Sequence, residues 1–360
     1  MKLIKQLHFE KLKPLCPICR SNGQESLLEI RSVLKESNNS IIEGILSCTN
    51  TQCLSEYPVI DGIPIIVSNL RTYISQNLIP ILCRDDLTNT MESLLGDCFG
   101  PGSAFDSHRQ HINTYAFDHY GDLDPEETTK SPVSPGSIVK LLRQGLLSME
   151  HSVRGPVIDI GCSVGRTSFE LAKEFDEIVL GVDMNFGMLK TASSILEKNH
   201  VSYPRRTSGI AFERRKFKAV FKNTEKVDFW VCDAISLPFS DETFSANTSL
   251  NVIDCVWSPY DHLKELARIL MPGSRAIVST PYDWTANATP VESWLGGHSQ
   301  RSKHKGASEA VLYSLLAGGD HPNAVEKLEL LSEEDLPWTL RLHDRSFMEY
   351  IVHMIVLQKK

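Results

Sequence analysis

VIDIGCSVGRTSFELA, residues 157–172, is the stretch that decides the fold. Apolar residues run through Asp159 into Gly161, a second glycine follows at Gly165, and an amphipathic helical pattern starts at once. A strand that turns tightly into a helix needs glycine where φ is positive and where a ligand approaches the backbone. Ser163 stands where the dinucleotide GxGxxG pattern has its middle glycine, so this is not that fingerprint. The next apolar run, EIVLGVD, ends in Asp183, and an acid at the end of a second strand suits a ribose diol.

Outward from this stretch, strands and helices alternate. An apolar helix pattern begins at 137 with Ile138, Leu141, Leu142, Leu146 and Leu147, ahead of the first strand. After it come helices through SFELAKEF and MLKTASSILEK, then strands at VDFWVCD and FSANTSLNVI, a helix through YDHLKELARIL, and a strand at RAIVST. This alternation predicts an α/β chain with a Rossmann-like, doubly wound parallel sheet. Two segments interrupt it. Residues 199–226 carry eight basic side chains against Glu213 and Glu225, and are expected to form a solvated loop. Residues 298–335 read as a second insertion before a final strand pair around WTLRLHD and YIVHMIVLQ.

The N-terminal part is different in kind. Cys16-Pro-Ile-Cys19 is one knuckle and Cys48-x4-Cys53 a wider second. Four thiolates on two short turns supply the tetrahedron that zinc requires, and in so small a unit the metal replaces a missing core. Four free thiols are the alternative. All four positions are filled by protein, so such a site is structural. YPVIDGIPIIV follows, with Asp61–Gly62 predicting a hairpin turn. The expected organisation is a zinc-ribbon domain at 1–70, a helical connector and lid at 71–136, and the main α/β domain at 137–360.

Composition narrows the class. The 360 residues suit about two domains. A hydrophobic content of 41% and a charged content of 23% exclude wholesale disorder. The net charge of −8 disfavours general nucleic-acid binding, though a local patch such as 199–226 could still meet phosphate. No apolar run is long enough for a membrane span, and the N-terminus is charged where a signal peptide is apolar. The expectation is a cytoplasmic protein without membrane association, whose cysteines are thiols or ligands.

Residues 150–290 resemble class I S-adenosylmethionine methyltransferases through Asp159, Gly161, Gly165, Asp183 and the later block WVCDAISLPFSDETF. The resemblance implies S-adenosylmethionine as cofactor, with its methionine part against Gly161 and Gly165, its ribose on Asp183, and its adenine flanked by Asp233 and Ala234. Asp159 and Asn251 are counted with this cofactor set. GCSVGRTSFELAKEFDEIVLGVD, SLNVID, STPYDW, TPVESWLGG and YAFDHYG together resemble the methyltransferase domain of ovothiol biosynthesis, the 4-mercaptohistidine N-methyltransferases. That likeness implies a small imidazole-type substrate methylated on a ring nitrogen. CPIC, GILSC and YPVIDGIPIIV resemble the small zinc-binding activators of methyltransferases, which dock a sheet edge; here a ribbon of that kind stands in the same chain, and it could also meet a protein partner.

Substrate-side candidates lie beyond the strand ends: Asp254 after the fourth strand, Tyr282 and Trp284 after the fifth. Tyr115, His119 and Tyr120 in YAFDHYG, between glycine- and proline-rich loops, suit a closing lid. Plain structural roles compete with each: packing for Trp284 and Trp294, capping for His119, and a helix cap for Asp254. Two other functions stay open. An RNA methyltransferase would use the ribbon and the basic insertion, although no amino-methylating Asn-Pro-Pro-Tyr motif is present. A scaffold would bind the cofactor without turnover.

Overall fold

A computed structural model describes residues 4–37, 40–84, 86–127, 133–149 and 153–360. The N-terminal unit is an antiparallel meander of β1 (Leu28–Ser37), β2 (Ser40–Cys48), β3 (Glu56–Ile60) and β4 (Ile63–Pro64), preceded by a helix at Ile4–Leu12. Asp61 and Gly62 both take positive φ, 49° and 79°, in the turn between β3 and β4. Consecutive positive φ values give the twist that a two-residue hairpin needs, which is why Asp-Gly stands there.

Helices at Leu70–Gln76, Leu78–Leu82, Asn89–Phe99 and Ala104–Tyr120 follow. Asn69, Thr88 and Ser103 cap three of them by accepting from the backbone N–H three residues on. The helix Ser137–Met149 then leads into the main sheet. Its strands are β5 (Val157–Ile160), β6 (Val179–Asp183), β9 (Val227–Val231), β10 (Phe244–Leu250), β11 (Leu270–Thr280), β12 (Leu328–His343) and β13 (Ser346–Lys359), with β7 (His200–Ser208) and β8 (Ala211–Lys218) forming a separate hairpin. The order is β12-β13-β11-β10-β5-β6-β9. All pairs from β9 to β11 are parallel, and β13 runs antiparallel to both its neighbours. The mostly parallel α/β sheet expected from the sequence is present. Every residue of β5, β9 and β10 is buried, as both faces of a parallel sheet require.

β10 is polar for a central strand, and all three of its hydroxyls have partners. Thr248 Oγ1 donates to Asp159 at 2.6 Å, Ser245 Oγ donates to the Pro156 carbonyl at 3.1 Å, and Ser249 Oγ lies 2.8 Å from His262 Nε2. A buried hydroxyl without a partner would cost a few kcal/mol.

The meander is joined to the edge of the main sheet. Ile65 makes a parallel bridge to Val231, and Ile66 N–H donates to the Val231 carbonyl at 2.9 Å. Phe9 packs on Trp230 with ring centroids 5.0 Å apart, and Arg20 pairs with Glu265 at 2.8 Å. One apolar cluster therefore runs from Cys16 and Tyr57 through Ile66 to Trp230 and Phe239, and β9 is no open edge.

Three expectations need correction. Most of residues 199–226, from His200 to Lys218, forms the β7–β8 hairpin and not a solvated loop. Its arginines are held by acids distant in sequence: Arg214 by Glu92 at 2.6 Å, Arg215 by Asp124 at 2.7 Å, and Arg205 by Asp344 at 3.1 Å. The second insertion ends before 335, because β12 starts at Leu328 and pairs with β13 along its length. YAFDHYG is no lid: residues 116–121 are buried at the end of the helix Ala104–Tyr120. Asp118 fastens that end, accepting from Ser137 Oγ at 2.6 Å, Ile138 N at 3.2 Å and Trp338 Nε1 at 2.9 Å.

Candidate active site

The strand order reverses between β5 and β10, and a cavity of about 530 Å³ opens there, past the carboxyl ends of β5, β6, β9 and β10. Open α/β sheets collect ligands at such a crevice, where the chain leaves neighbouring strands in opposite directions.

The turn after β5 forms its floor. Gly161 has φ 70°, and a Cβ there would lie 2.3 Å from Val252 Cγ2. Gly165 has φ 88°, and a Cβ there would lie 2.6 Å from Ala192 and 2.7 Å from Phe229. Only glycine fits both. Ser163, between them, also takes a left-handed φ of 53°, a conformation that costs a non-glycine residue on the order of 1 kcal/mol. Its N–H donates to Asp183 Oδ2 at 2.9 Å. Asp159 lies beneath the turn and is fully engaged, taking Thr167 and Thr248 hydroxyls at 2.6 Å and Ser168 at 2.7 Å. Burial raises its pKa, and the three hydroxyls pull the other way. Asp159 lines the cavity but works as a tie between β5, β10 and the following helix.

Asp183, at the end of β6, lines the cavity. Its Oδ1 accepts from Asn185 N at 2.7 Å, so each carboxylate oxygen holds one backbone N–H and keeps a lone pair for a ligand. Burial raises its pKa, opposed by those N–H donors. Asn251, after β10, takes φ 58°; its Oδ1 accepts from Ser279 Oγ at 2.8 Å. Its Nδ2 is buried with no hydrogen-bond partner among the described residues, a donor waiting on the cavity wall. Ala234 lines the cavity as well, while Asp233 turns to the Ile235 N–H at 3.1 Å. Gly165 supports the turn from outside the lining.

The helix Ala104–Tyr120 lays His111, Tyr115, Asp118 and His119 along the same cavity, at the spacing of one helical face. Trp338 of β12 and Cys255 also line it. The His111 and Cys255 side chains are exposed in the open cavity, and partial desolvation by its walls holds His111 below the usual imidazole range and the Cys255 thiol above its ordinary value. His119 reaches the cavity, but its Nδ1 accepts from the Arg166 N–H at 3.3 Å. Burial first, and the Arg166 guanidinium second, lower its pKa to about 3, so the ring is neutral.

The other substrate-side residues sit elsewhere. Tyr120 is fully buried and donates to the Val164 carbonyl at 2.6 Å, beneath the turn rather than in the cavity. Asp254, Tyr282 and Trp284 brace the segment after β11. Asp254 Oδ2 accepts from Asp283 N at 2.7 Å. It caps no helix, since Ser258 caps Pro259–Ile269. Tyr282 Oη lies 2.7 Å from His353 Nδ1, and Trp284 stacks on Trp294 with centroids 6.1 Å apart. Among the cavity residues that the sequence reading did not assign to the site are His111, Cys255 and Trp338. For His111 a signal existed, the i, i+4 phase with Tyr115; Trp338 comes from a strand more than 200 residues away.

Cys16, Cys19, Cys48 and Cys53 come together with all Sγ atoms within 4.8 Å of one another. Cys16 and Cys53 are 3.8 Å apart, Cys19 and Cys48 3.6 Å. A tetrahedron with Zn–S bonds near 2.3 Å has edges of about 3.8 Å, so the donor set fits a thiophilic tetrahedral ion. Asn50 N–H points at Cys48 Sγ from 3.4 Å, the kind of contact that steadies a thiolate.

Residues 158–278 match the family model described as methyltransferase domain. Norajmaline N-methyltransferase of Rauvolfia serpentina is 24% identical over 165 residues, covering 44% of this chain and 49% of that protein. Chloroplastic tocopherol O-methyltransferase of Arabidopsis thaliana is 25% identical over 170 residues, covering 45% and 42%. The chain thus spans about half the length of these curated relatives. A SAM-dependent methyltransferase structure from Methanosarcina mazei overlaps at 20% identity and TM-score 0.38, covering 59% of this chain and 96% of that one, a likeness too slight to argue from. No helix among the described residues is long and apolar enough to cross a membrane.

Proposed function

We propose that the class I methyltransferase domain at residues 158–278 makes the whole chain an S-adenosylmethionine-dependent methyltransferase of a small molecule. One observation carries this reading: the Gly161 turn, the Asp183 carboxylate and the unpartnered Asn251 amide face a single cavity large enough for a nucleoside and a small acceptor. Asp183 would hold the ribose diol with its two remaining lone pairs, and the Gly161 turn would take the methionine part, where any side chain would collide.

The bound cofactor supplies an electrophilic methyl group on a sulfonium. The chain's own task is alignment and exclusion of water. Tyr115 and Trp338 offer flat apolar surfaces for a planar acceptor, and the neutral His111 offers it a hydrogen bond. The acceptor we favour is a ring nitrogen of an imidazole or histidine-derived compound. Neutral imidazole brings its own lone pair near pH 7, so no strong base is asked of the protein. Asp254 acts at one remove, holding the Asp283 backbone and with it the segment that carries Tyr282 and Trp284. Asp254→Asn should lower kcat and leave affinity for the cofactor unchanged. The four-cysteine cluster is assigned a structural zinc ion. We place the ribbon at 1–70 as a unit acting in cis on β9, and the chain in the cytoplasm.

The test is transfer of a labelled methyl group from S-adenosylmethionine to a metabolite extract, to pure imidazoles and to total RNA. Labelling of a small molecule supports the proposal, and labelling of an imidazole supports its finer form. Labelling of RNA alone replaces it with the nucleic-acid reading. Cofactor binding with no labelled product from any source makes the chain a scaffold.

A further inference from the structure

A second cavity, of about 480 Å³, lies on the neighbouring faces of two helices that line the first. The helix Ala104–Tyr120 gives it Phe105, His108, Arg109 and Ile112; the helix Phe186–Lys198 gives it Lys190 and Lys198 among others. The β7–β8 hairpin closes one further side, and Pro80, Leu87 and Glu92 another.

Its lining is cationic: among the described residues, Arg84, Arg109, Lys190, Lys198, Arg214 and Lys216 line it beside the acids Asp86 and Glu92. Glu92 is spent on Arg214, which holds it through Nε at 3.0 Å and Nη2 at 2.6 Å. Asp86 is spent on Arg84 at 2.7 Å. Lys190 turns to Asp61 at 3.0 Å.

Arg109 stands apart. It is 2% exposed, and none of its three guanidinium nitrogens has a hydrogen-bond partner among the described residues. Among the described residues its ion-pair partner is buried Asp106, whose Oδ1 is 3.9 Å away, beyond hydrogen-bond reach. Phe105 and Phe212 cover its faces, with centroids 4.6 Å and 4.1 Å from Cζ. Gly96 leaves it room, since a Cβ there would lie 2.5 Å from Nη2. Two rings thus fix the plane of a guanidinium whose donors are all unused. Burying these donors without acceptors is unfavourable, and a ligand oxyanion would relieve it. A planar guanidinium fork matches phosphate oxygens, and the surrounding lysines favour a dianion over a monocarboxylate.

We infer that this cavity binds a phosphorylated small molecule, whose phosphate takes the Lys216 ammonium and the Arg109 guanidinium in the cavity wall. The inference does not rest on the transferase reading. Its occupant would lie beside the same helix turn that presents His111 and Tyr115 to the first cavity.

The test is equilibrium dialysis of the full chain with radiolabelled inorganic phosphate at constant ionic strength, with acetate and a short RNA oligomer as competitors. Calorimetry with S-adenosylmethionine runs alongside, so that failure of one site is seen separately from failure of the other. The expected result is one phosphate per chain, weakened at least tenfold by Lys216→Ala and lost in Arg109→Met, with cofactor binding unchanged in Lys216→Ala. Methionine keeps an apolar stem between the two rings, and Lys216 is exposed, so its loss leaves the fold intact. Absence of saturable phosphate binding, or binding that neither variant alters, overturns the inference. Displacement by RNA at concentrations where acetate has no effect would assign the surface to nucleic acid instead.

Discussion

Replacing Asp183 by alanine removes the carboxylate on which the ribose assignment depends. Each of its oxygens accepts one backbone N–H, from Ser163 at 2.9 Å and Asn185 at 2.7 Å, and keeps one lone pair toward the cavity. Two ribose hydroxyls can therefore donate to it. A hydrogen bond to a charged group contributes about 1.5–3 kcal/mol, so loss of both at the lower end costs about 3 kcal/mol, or roughly a hundredfold in Kd. Asp183→Asn is the sharper variant. It keeps the volume, but its amide nitrogen must face one of those two backbone N–H groups, donor against donor. Both variants should bind S-adenosylmethionine far more weakly by calorimetry. Thermal melting without ligand reports separately on the turn that Asp183 also holds. A change in Kd below about threefold in a folded variant would refute the ribose assignment.

Cys48→Ser should release the metal and melt the N-terminal unit, read as less than one zinc per chain by elemental analysis and as lost protection of residues 15–66 from proteolysis. Thr248→Val removes one of the three hydroxyls on buried Asp159 at nearly constant volume, and urea unfolding should show a loss of about 1–2 kcal/mol. Stability should also fall with acid. Burial lowers His119 to about 3 and His262 to about 4, below an unfolded value near 6.5, so the unfolded chain binds more protons. The neutral-histidine contribution is present above pH 6.5 and lost as pH drops toward 4 for His262 and toward 3 for His119, roughly 2 kcal/mol for each histidine between pH 7 and pH 5. Urea midpoints that do not move over that interval would contradict the burial of these rings.

The parts of the fold legible in the sequence are those written in local chemistry. Gly161 and Gly165 stand where a Cβ would strike Val252, Ala192 or Phe229, so glycine itself marked the turn. Asp61–Gly62 announced its hairpin through two positive φ values, and the four cysteines through their spacing. What the sequence hid depends on partners far along the chain. The charge of 199–226 looked free, but Glu92, Asp124 and Asp344 neutralise its arginines from about 90 to 140 residues away. The lid reading of YAFDHYG weighed the flanking loops above the helical phase; Ile112, Ala116, Phe117 and Tyr120 form a buried stripe, with His111 and Tyr115 beside it facing the cavity. Asp254, Tyr282 and Trp284 do follow the strands as expected. The loop after β11 then closes on itself through Asp283 N, His353 and Trp294, which no local pattern foretells.

Hydrogen–deuterium exchange of the full chain with and without S-adenosylmethionine tests the central claim most directly, because it maps the binding site in the protein itself. The account predicts slowed exchange at 161–166, 183–189, 232–235 and 250–256, the backbone that surrounds the first cavity, and no change along β7–β8. Protection confined to other segments, or none at a saturating concentration of cofactor, would contradict it.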